Sequence, residues 1–526
     1  MSSMLRSFLG ITFAMVFALC GVGRSYAVPE LRAAPPAPDT LVLWVMDQDI
    51  NTGTILQKLM QKYTRQSGLP VKIRFLDWGS AFVELNKMLS TEALPGTDYP
   101  DVVQLGSSWV PYFAKAGLIA PLGDLLDAVD TSRFYPEAMK SAHIGRDTTV
   151  YSLPWFLDVR GFFVNERLWL ELGLHDSEIE TYSQFFGVLR AVADAKVVNS
   201  DGVPVVPFEF GVKDDWTGYQ QLAPFLWNFG GAFVTETEQG YRSALVDSLS
   251  LVGLRHYLKL LRDQDISPYN LKENSSEAAD RFVRSEQLIL FGTSEFIRKV
   301  EFDKDVGGLK ESPLAKDGLI SVTAPKGPVG NFTFVGGSHL TLPMNANPAK
   351  RAAARDLFLF MVRADNIDYY SRQSGFIPPD GSLIRIWMQD SRYNSLINGL
   401  ENNGRSCQNI PEWSEIEMAV NAMVNAIARS IVQGDSNVQR MTAKLVMETH
   451  EKINAILKHN ESSARNDILA KVEMSLMQPV EETKYAKDLG IPEERSKISL
   501  RLVIISLLGF VAAVLLLVYM VRVRKR

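Results

Sequence analysis

Cysteine is nearly missing from this chain. Its 526 residues include only Cys20 and Cys407, so no disulfide framework is available to staple a small, loop-rich fold. Histidine is scarce as well, with six scattered copies, and no H-E-x-x-H or Cys/His cluster offers a metal set. G-x-x-x-x-G-K-[ST] is absent, as is G-x-G-x-x-G after a strand, which removes the usual phosphate cradles. Gly336-Gly337-Ser338-His339 lacks the G-x-S-x-G of a nucleophile elbow. Asp47, Asp49 and Asn51 open like a calcium loop, but the glycine comes one place late at Gly53 and Lys58 stands where the closing acid belongs. No strong basic excess exists either. Lys and Arg number 55 against 60 Asp and Glu, for a net charge of −5, which gives no footing for nucleic acid. No metal and no cofactor is expected. The pairs Asp214/Asp215 and Glu415/Glu417 are the residual enzymatic option, since two acids about 5–9 Å apart can hydrolyse a glycoside. Such pairs are usually solvated surface, and the chain is read as a non-enzyme.

What is present begins with length. A chain of this size suits two or more domains. Residues 1–27 read as a secretory signal: Arg6, an apolar run from Phe8 to Val22, then Ser25-Tyr26-Ala27 with small residues placed for cleavage after Ala27. A Pro/Ala-rich linker, 28–38, follows. Near the other end, Leu502–Val521 is an uncharged run of 20 residues. As a helix it would span a hydrocarbon core of about 30 Å. The basic tail 522–526 favours a cytoplasmic C-terminus, although Arg495, Lys497 and Arg501 flank the other side. The expected location is a single-pass anchor in the cell membrane with the body periplasmic or extracellular.

Between these segments, strand-like and helix-like stretches alternate. LVLWVMD (41–47), VKIRFLDW (71–78) and DVVQLG (101–106) read as strands; Thr54–Gln66 and Ala81–Ser90 read as helices. Alternation of this kind predicts a parallel sheet with helices on its faces. GVPVVPFEFG, QQLAPFLWNFGG and QLILFG are strand or buried-helix candidates. From Pro411 to His459, apolar residues recur at helical spacing and predict amphipathic helices. The charged stretch 461–501 reads as a stalk.

Nine Trp residues occur, several at predicted strand ends or beside Gly and Pro. In open α/β sheets, ligands bind outside the carboxyl ends of strands. Flat apolar faces among polar groups suit a sugar, whose C–H faces stack while its hydroxyls hydrogen-bond. Core packing would equally explain any one Trp. The ordered set YPDVVQLGSSWVPYFAKAGLIAPL, VYSLPWFLDVRGFFVNERLWLELGL, LAPFLWNFGGAFV, RFVRSEQLILFGTSEFI, FVGGSHLTLPMNANPAKRAAARDLFLFMV and SGFIPP resembles the bacterial extracellular solute-binding proteins of family 1, which include the maltose- and oligosaccharide-binding components of ABC importers. The likeness runs over about 40–460.

The resemblance implies an α/β, two-lobed periplasmic-binding-protein clamp of type II with crossover hinges, here with one C-terminal transmembrane helix added. The N-terminal lobe would hold 39–150 and 325–378, and the C-terminal lobe 151–324 and 379–460. Crossovers are expected near Val150–Pro154, Thr323–Val335 and Phe376–Asp380. By position, ligand contacts fall on Asp47, Gln48, Asp77, Trp78, Ser107, Ser108 and Trp109, then Trp155 and Asp158. Trp216 and Tyr219 follow in the second lobe, then Gly337 and Ser338, where a missing side chain would let backbone approach a ligand. Trp413 and Glu417 close the set. Ser108-Trp109 replaces the Asp-Arg pair of maltodextrin binders, and Ser285-Glu286-Gln287-Leu288 replaces a usual family stretch. The function implied is capture of a small solute, a sugar or oligosaccharide, for importer permease subunits. The alternative is the ligand-sensing subunit of a transmembrane signalling complex.

Overall fold

The computed structural model describes residues 40–489, with 49, 95–96, 435–436, 486 and 488 excepted. The expected signal peptide, linker, Leu502–Val521 helix and basic tail lie outside the described residues. Among the described residues no helix is long and apolar enough to cross a membrane.

Among the described residues eleven strands run in chain order: β1 (Leu41–Met46), β2 (Val71–Leu76), β3 (Val102–Gly106), β4 (Leu153–Asn165), β5 (Val206–Glu209), β6 (Val234–Thr237), β7 (Gly240–Ser243), β8 (Gln287–Thr293), β9 (Leu319–Val322), β10 (Thr333–Thr341) and β11 (Gly404–Arg405). The main sheet has the order β2-β1-β3-β10-β4-β8-β5, with β9 on β4 and β11 on β10. β1 pairs in parallel with β2 and β3, and β5 pairs in parallel with β8. The joining strands are antiparallel to their neighbours. Strand side chains alternate between faces. Leu41, Leu43 and Val45 therefore enter one apolar cluster, while Val42, Trp44 and Met46 enter the opposite one. Phe162 and Val164 divide from Val159 and Phe163 in the same way. The two halves of the sheet thus have a packed core on each face, and each half with its helices is one lobe.

β4 and β10 belong to both halves. Ser338–Thr341 of β10 pair with β3 of the first lobe, whereas Arg160–Val164 of β4 pair with β8 of the second. The strand pair between them, Val335–Leu340 against Leu153–Val159, carries the sheet across. The first crossover, expected near Val150–Pro154, is carried by β4, a 13-residue strand that begins at Leu153. The second lies on β10, and the third touches β4 through the Leu157–Ile377 bridge.

Two sequence expectations change. QQLAPFLWNFGG, left open between strand and helix, is a fully buried helix, Gly218–Asn228. The stretch expected to stand free as a stalk packs on the second lobe over its first part. Helix Arg465–Met477 buries Ile468, Val472 and Leu476, one stripe at helical spacing. Beyond it, the Thr483 N–H donates to the Ser183 carbonyl at 3.0 Å, and Lys487 pairs with Glu178 at 2.9 Å.

Gly337 is the tightest point of the shared strand pair. Its φ is +145°, and an added Cβ would meet the Phe156 carbonyl oxygen at 2.3 Å. The register shifts beside it, between Ser338 and His339. Gly337→Ala combines disfavoured backbone with a backbone clash, and is expected to cost about 2–4 kcal/mol. Thermal and urea unfolding of the two proteins side by side measure the loss.

Candidate binding site

The carboxyl ends of the strands and the amino ends of the helices after them converge on one cleft between the lobes. β1 delivers Gln48, β2 delivers Trp78, and β3 delivers Ser107, Ser108 and Trp109. The second lobe answers with Trp216, Thr217, Tyr219 and Gln220, with Ser275 and Ser276 at a helix start, with Thr293 at the end of β8 and Glu295 just beyond it, and with Glu417. The shared strands form the floor: Phe156, Asp158 and Arg160 from β4, Gly336, Gly337 and Ser338 from β10. Together they line a cavity of about 330 Å³, at the small end of the range for organic ligands.

Local sequence explains how these groups are held. Helix Trp413–Val432 carries Asn421 and Asn425 one turn apart, and they clamp the loop before Gly218. Asn421 Nδ2 donates to the Trp216 carbonyl at 2.6 Å, and Asn425 Nδ2 to the Asp215 carbonyl at 2.9 Å. The buried Asp215 carboxylate accepts from the backbone N–H groups of Thr217 (2.6 Å) and Ser275 (2.8 Å), tying two helix starts together. It is therefore a structural anchor, and Asp214 beside it pairs with Arg429 at the surface. Neither forms a catalytic pair. Glu415 and Glu417 separate as well, one exposed and one buried.

The indoles step inward from solvent. Trp216, 46% exposed, stacks on Trp78 with ring centroids 5.7 Å apart and planes at 12°. Trp78 meets the buried Trp109 edge-to-face at 5.4 Å. Gly106 makes room, since a Cβ there would meet the Trp78 ring at 3.3 Å. The Trp109 indole Nε1–H then donates across the cleft to Glu417 Oε1 at 2.9 Å.

Several buried polar atoms around the cavity have no protein partner: Gln48 Nε2, Arg160 Nε, Asp158 Oδ1, Gln220 Oε1 and Glu417 Oε2. Arg160 and Asp158 are paired only loosely, at 3.5 Å. Burial raises the Asp158 carboxyl above its ordinary range, opposed by Arg160 and reinforced by Glu295. Burial pushes Glu417 up to about 7, while the Trp109 indole N–H pulls it partly back.

Most of the expected site residues meet in this cavity, and four do not. Asp47 is exposed in the loop after β1. Asp77 caps helix Trp78–Leu89, accepting from the Ser80 N–H. Trp155 points to the opposite side of β4 and packs on Tyr370 with centroids 4.2 Å apart. Trp413 is fully buried among Tyr219 and Phe233, behind Glu417. Gly337 lines the cavity, but its missing side chain serves the close approach of β10 to β4. Arg160, Gln220, Ser275, Ser276 and Glu295 were missed. Arg160 carried a readable signal, the one basic residue, two places after Asp158, in the otherwise apolar run LPWFLDVRGFFV.

Glu417 generates a pH dependence of known sign. Its proton is held more tightly in the folded state than in the unfolded chain. The stability it contributes is complete below about pH 4.5 and is lost as pH rises to about 7. Between about pH 5 and about pH 8, wild type is expected to lose on the order of 3 kcal/mol more than Glu417→Gln. Urea unfolding across that range, in ligand-free protein, reads the difference.

Comparison with known proteins supplies the kinship. The model of the family described as "Bacterial extracellular solute-binding protein" matches residues 48–367. The diacetylchitobiose-binding protein DasA of Streptomyces coelicolor is 22% identical over 430 residues, 81% of this chain and 93% of that one. Among solved structures, an ABC-transporter solute-binding protein of Thermotoga lettingae bound to α-D-tagatose superposes with TM-score 0.64 at 17% identity. The match covers 80% of this chain and 99% of that one. The GacH receptor of Streptomyces glaucescens, solved without ligand and with acarbose, superposes with TM-score 0.64 at 16% identity, over 80% and 99%. With the family model spanning more than half of its length, the chain belongs to the bacterial extracellular solute-binding proteins.

Proposed function

We propose that this protein captures an uncharged saccharide in the interlobe cleft and passes it to the permease of an ABC importer. The observation that carries the reading is the set of unpartnered buried atoms. Leaving a buried donor or acceptor unmade costs about 1–3 kcal/mol, and here donors and acceptors stand side by side around one cavity. A hydroxyl both donates and accepts, so a polyol can complete both kinds. Trp109, Phe156 and Phe334 in the lining offer the apolar half of such a contact. The lining chemistry narrows the class. Asp158, Glu295 and Glu417 line the cavity against Arg160, so a phosphate or carboxylate on the ligand would face three carboxyl groups and one guanidinium. The relatives named above are described with diacetylchitobiose, tagatose and acarbose, which supports the saccharide class without choosing a member.

Closure follows from the geometry of the wall. Its contacts come from both lobes, so a ligand gains all of them only when the lobes are together, and binding shifts the population toward that form. The family places the body outside the cytoplasm. For attachment we adopt Leu502–Val521 as a single membrane-spanning helix with 522–526 cytoplasmic, a reading supported by the sequence run alone. A tethered binder would work at high effective concentration beside its permease.

Isothermal titration of the protein with a panel of neutral, acidic and phosphorylated saccharides tests the reading. Neutral saccharides are expected to bind and acidic ones to fail. Asp158→Ala and Gln220→Ala are each expected to weaken binding about 10- to 100-fold. Trp155→Phe, behind the strand, should stay within about 2-fold. Tight binding of a sugar phosphate, with neutral sugars inert, would sink the proposal.

A further inference from the structure

The contact between Trp78 and Trp216 joins the two lobes at the outer edge of the cleft. Trp78 starts the helix after β2 in the first lobe. Trp216 sits in the second-lobe loop clamped by Asn421. Their rings are nearly parallel, with centroids 5.7 Å apart. A pyranose held between two aromatic faces needs van der Waals spacing of about 3.5–4 Å on each side, so no sugar ring fits within this pair. The two indoles touch each other instead. They are also outermost in the aromatic series, because Trp216 is half exposed while Trp109 beyond Trp78 is buried. Gln48 supports the arrangement, its Oε1 accepting from Trp78 Nε1 at 3.3 Å.

We propose that Trp78 and Trp216 form a clasp across the mouth of the cleft that biases the lobes toward closure without ligand and limits the ligand to short saccharides. The inference rests on the saccharide reading of the cleft. The cavity that both indoles line is about 330 Å³, at the small end of the range for organic ligands. A longer chain would have to leave through the mouth, where the stacked indoles stand. It could do so only by parting them, and would lose the closing contact as it gained its own. Short ligands fit behind the clasp and leave it intact. Trp216 is thereby a specificity-determining residue that acts by closing an end of the site.

Two measurements on the full-length chain test the clasp. The first needs no ligand. Nitroxide labels at Val83→Cys and Met418→Cys, exposed positions on the helices that carry Trp78 and Glu417, are read by double electron–electron resonance in a Cys20→Ser, Cys407→Ser background. A predominantly short distance is expected, with the longer population growing several-fold in Trp216→Ala. Identical distributions in the two proteins would overturn the clasp. The second is calorimetry with maltose through maltopentaose and with the two- to five-ring N-acetylglucosamine oligomers as probes. Affinity is expected to fall at least about tenfold beyond two rings in wild type, and to level out in Trp216→Ala. Equal wild-type affinity for long and short chains would overturn the length limit. Failure of both series to bind wild type would overturn the saccharide reading and the length limit with it, while the distance measurement still decides the clasp.

Discussion

The hydrogen-bonded pairing of β4 with β10 is the constraint from which the rest of the structure follows. Most two-lobed arrangements of strands and helices would need only loops between their halves. Here two antiparallel strands run from one core into the other, and their ladder crosses the plane between the lobes. The ladder permits bending and twisting but resists sliding, since a one-residue slip would exchange the faces of every side chain. The same pair is the floor of the cavity. Asp158 and Arg160 are therefore fixed by backbone register, whereas Trp78, Trp216 and Glu417 ride on the lobes. A hinge movement would carry the walls relative to a floor that stays nearly constant.

The walls are built in a way that disfavours an empty closed state on polar grounds and favours it on apolar ones. Unpartnered atoms on Gln48, Arg160, Asp158, Gln220 and Glu417 are each a buried cost. Opposing them are the Trp78–Trp216 stack and the Trp109–Glu417 hydrogen bond, both formed between lobes. An aromatic pair contributes about 0.5–1.5 kcal/mol beyond its burial, comparable to a single unmet polar group. Small free energies of opposite sign leave the opening equilibrium easy to shift. A ligand that fills the polar vacancies adds to the closed side without changing the apolar terms.

Much of this was legible in the sequence, for physical reasons that also mark where legibility ended. β1 and β3 stood out because buried parallel strands are apolar runs bounded by turn residues, and β2 because Val71, Ile73 and Phe75 alternate with Lys72 and Arg74; strand ends then pointed to Gln48, Trp78 and Ser107–Trp109. The errors share one origin. Position along the chain is visible in a sequence, but the side of a strand that faces the cleft is not. Trp155 and Phe156 are adjacent in β4, and only Phe156 lines the cavity. Asp77 had the right address, but a carboxylate before a helix is equally a cap, and that is its role. Gln220 lies in a helix with no exposed face, so no amphipathic pattern singled it out. The segment after Ser463 reads as charged and solvated, yet Ile468, Val472 and Leu476 keep helical spacing within it, a stripe diluted by acids and lysines.

That packed segment bears on which lobe can move. Past helix Arg465–Met477 the chain crosses the helix Tyr182–Ala195 of the second lobe, where Gly187 leaves the space that the Thr483 carbonyl occupies. A Cβ at Gly187 would lie 2.0 Å from that oxygen. Ser183 and Thr483 share a side-chain hydrogen bond at 2.9 Å, Lys259 pairs with Glu482, and Lys487 donates to Glu178. These contacts all fall on the second lobe. The packed segment thus braces the second lobe, and closure moves the first lobe, which carries Gln48, Trp78 and Trp109, relative to that braced half.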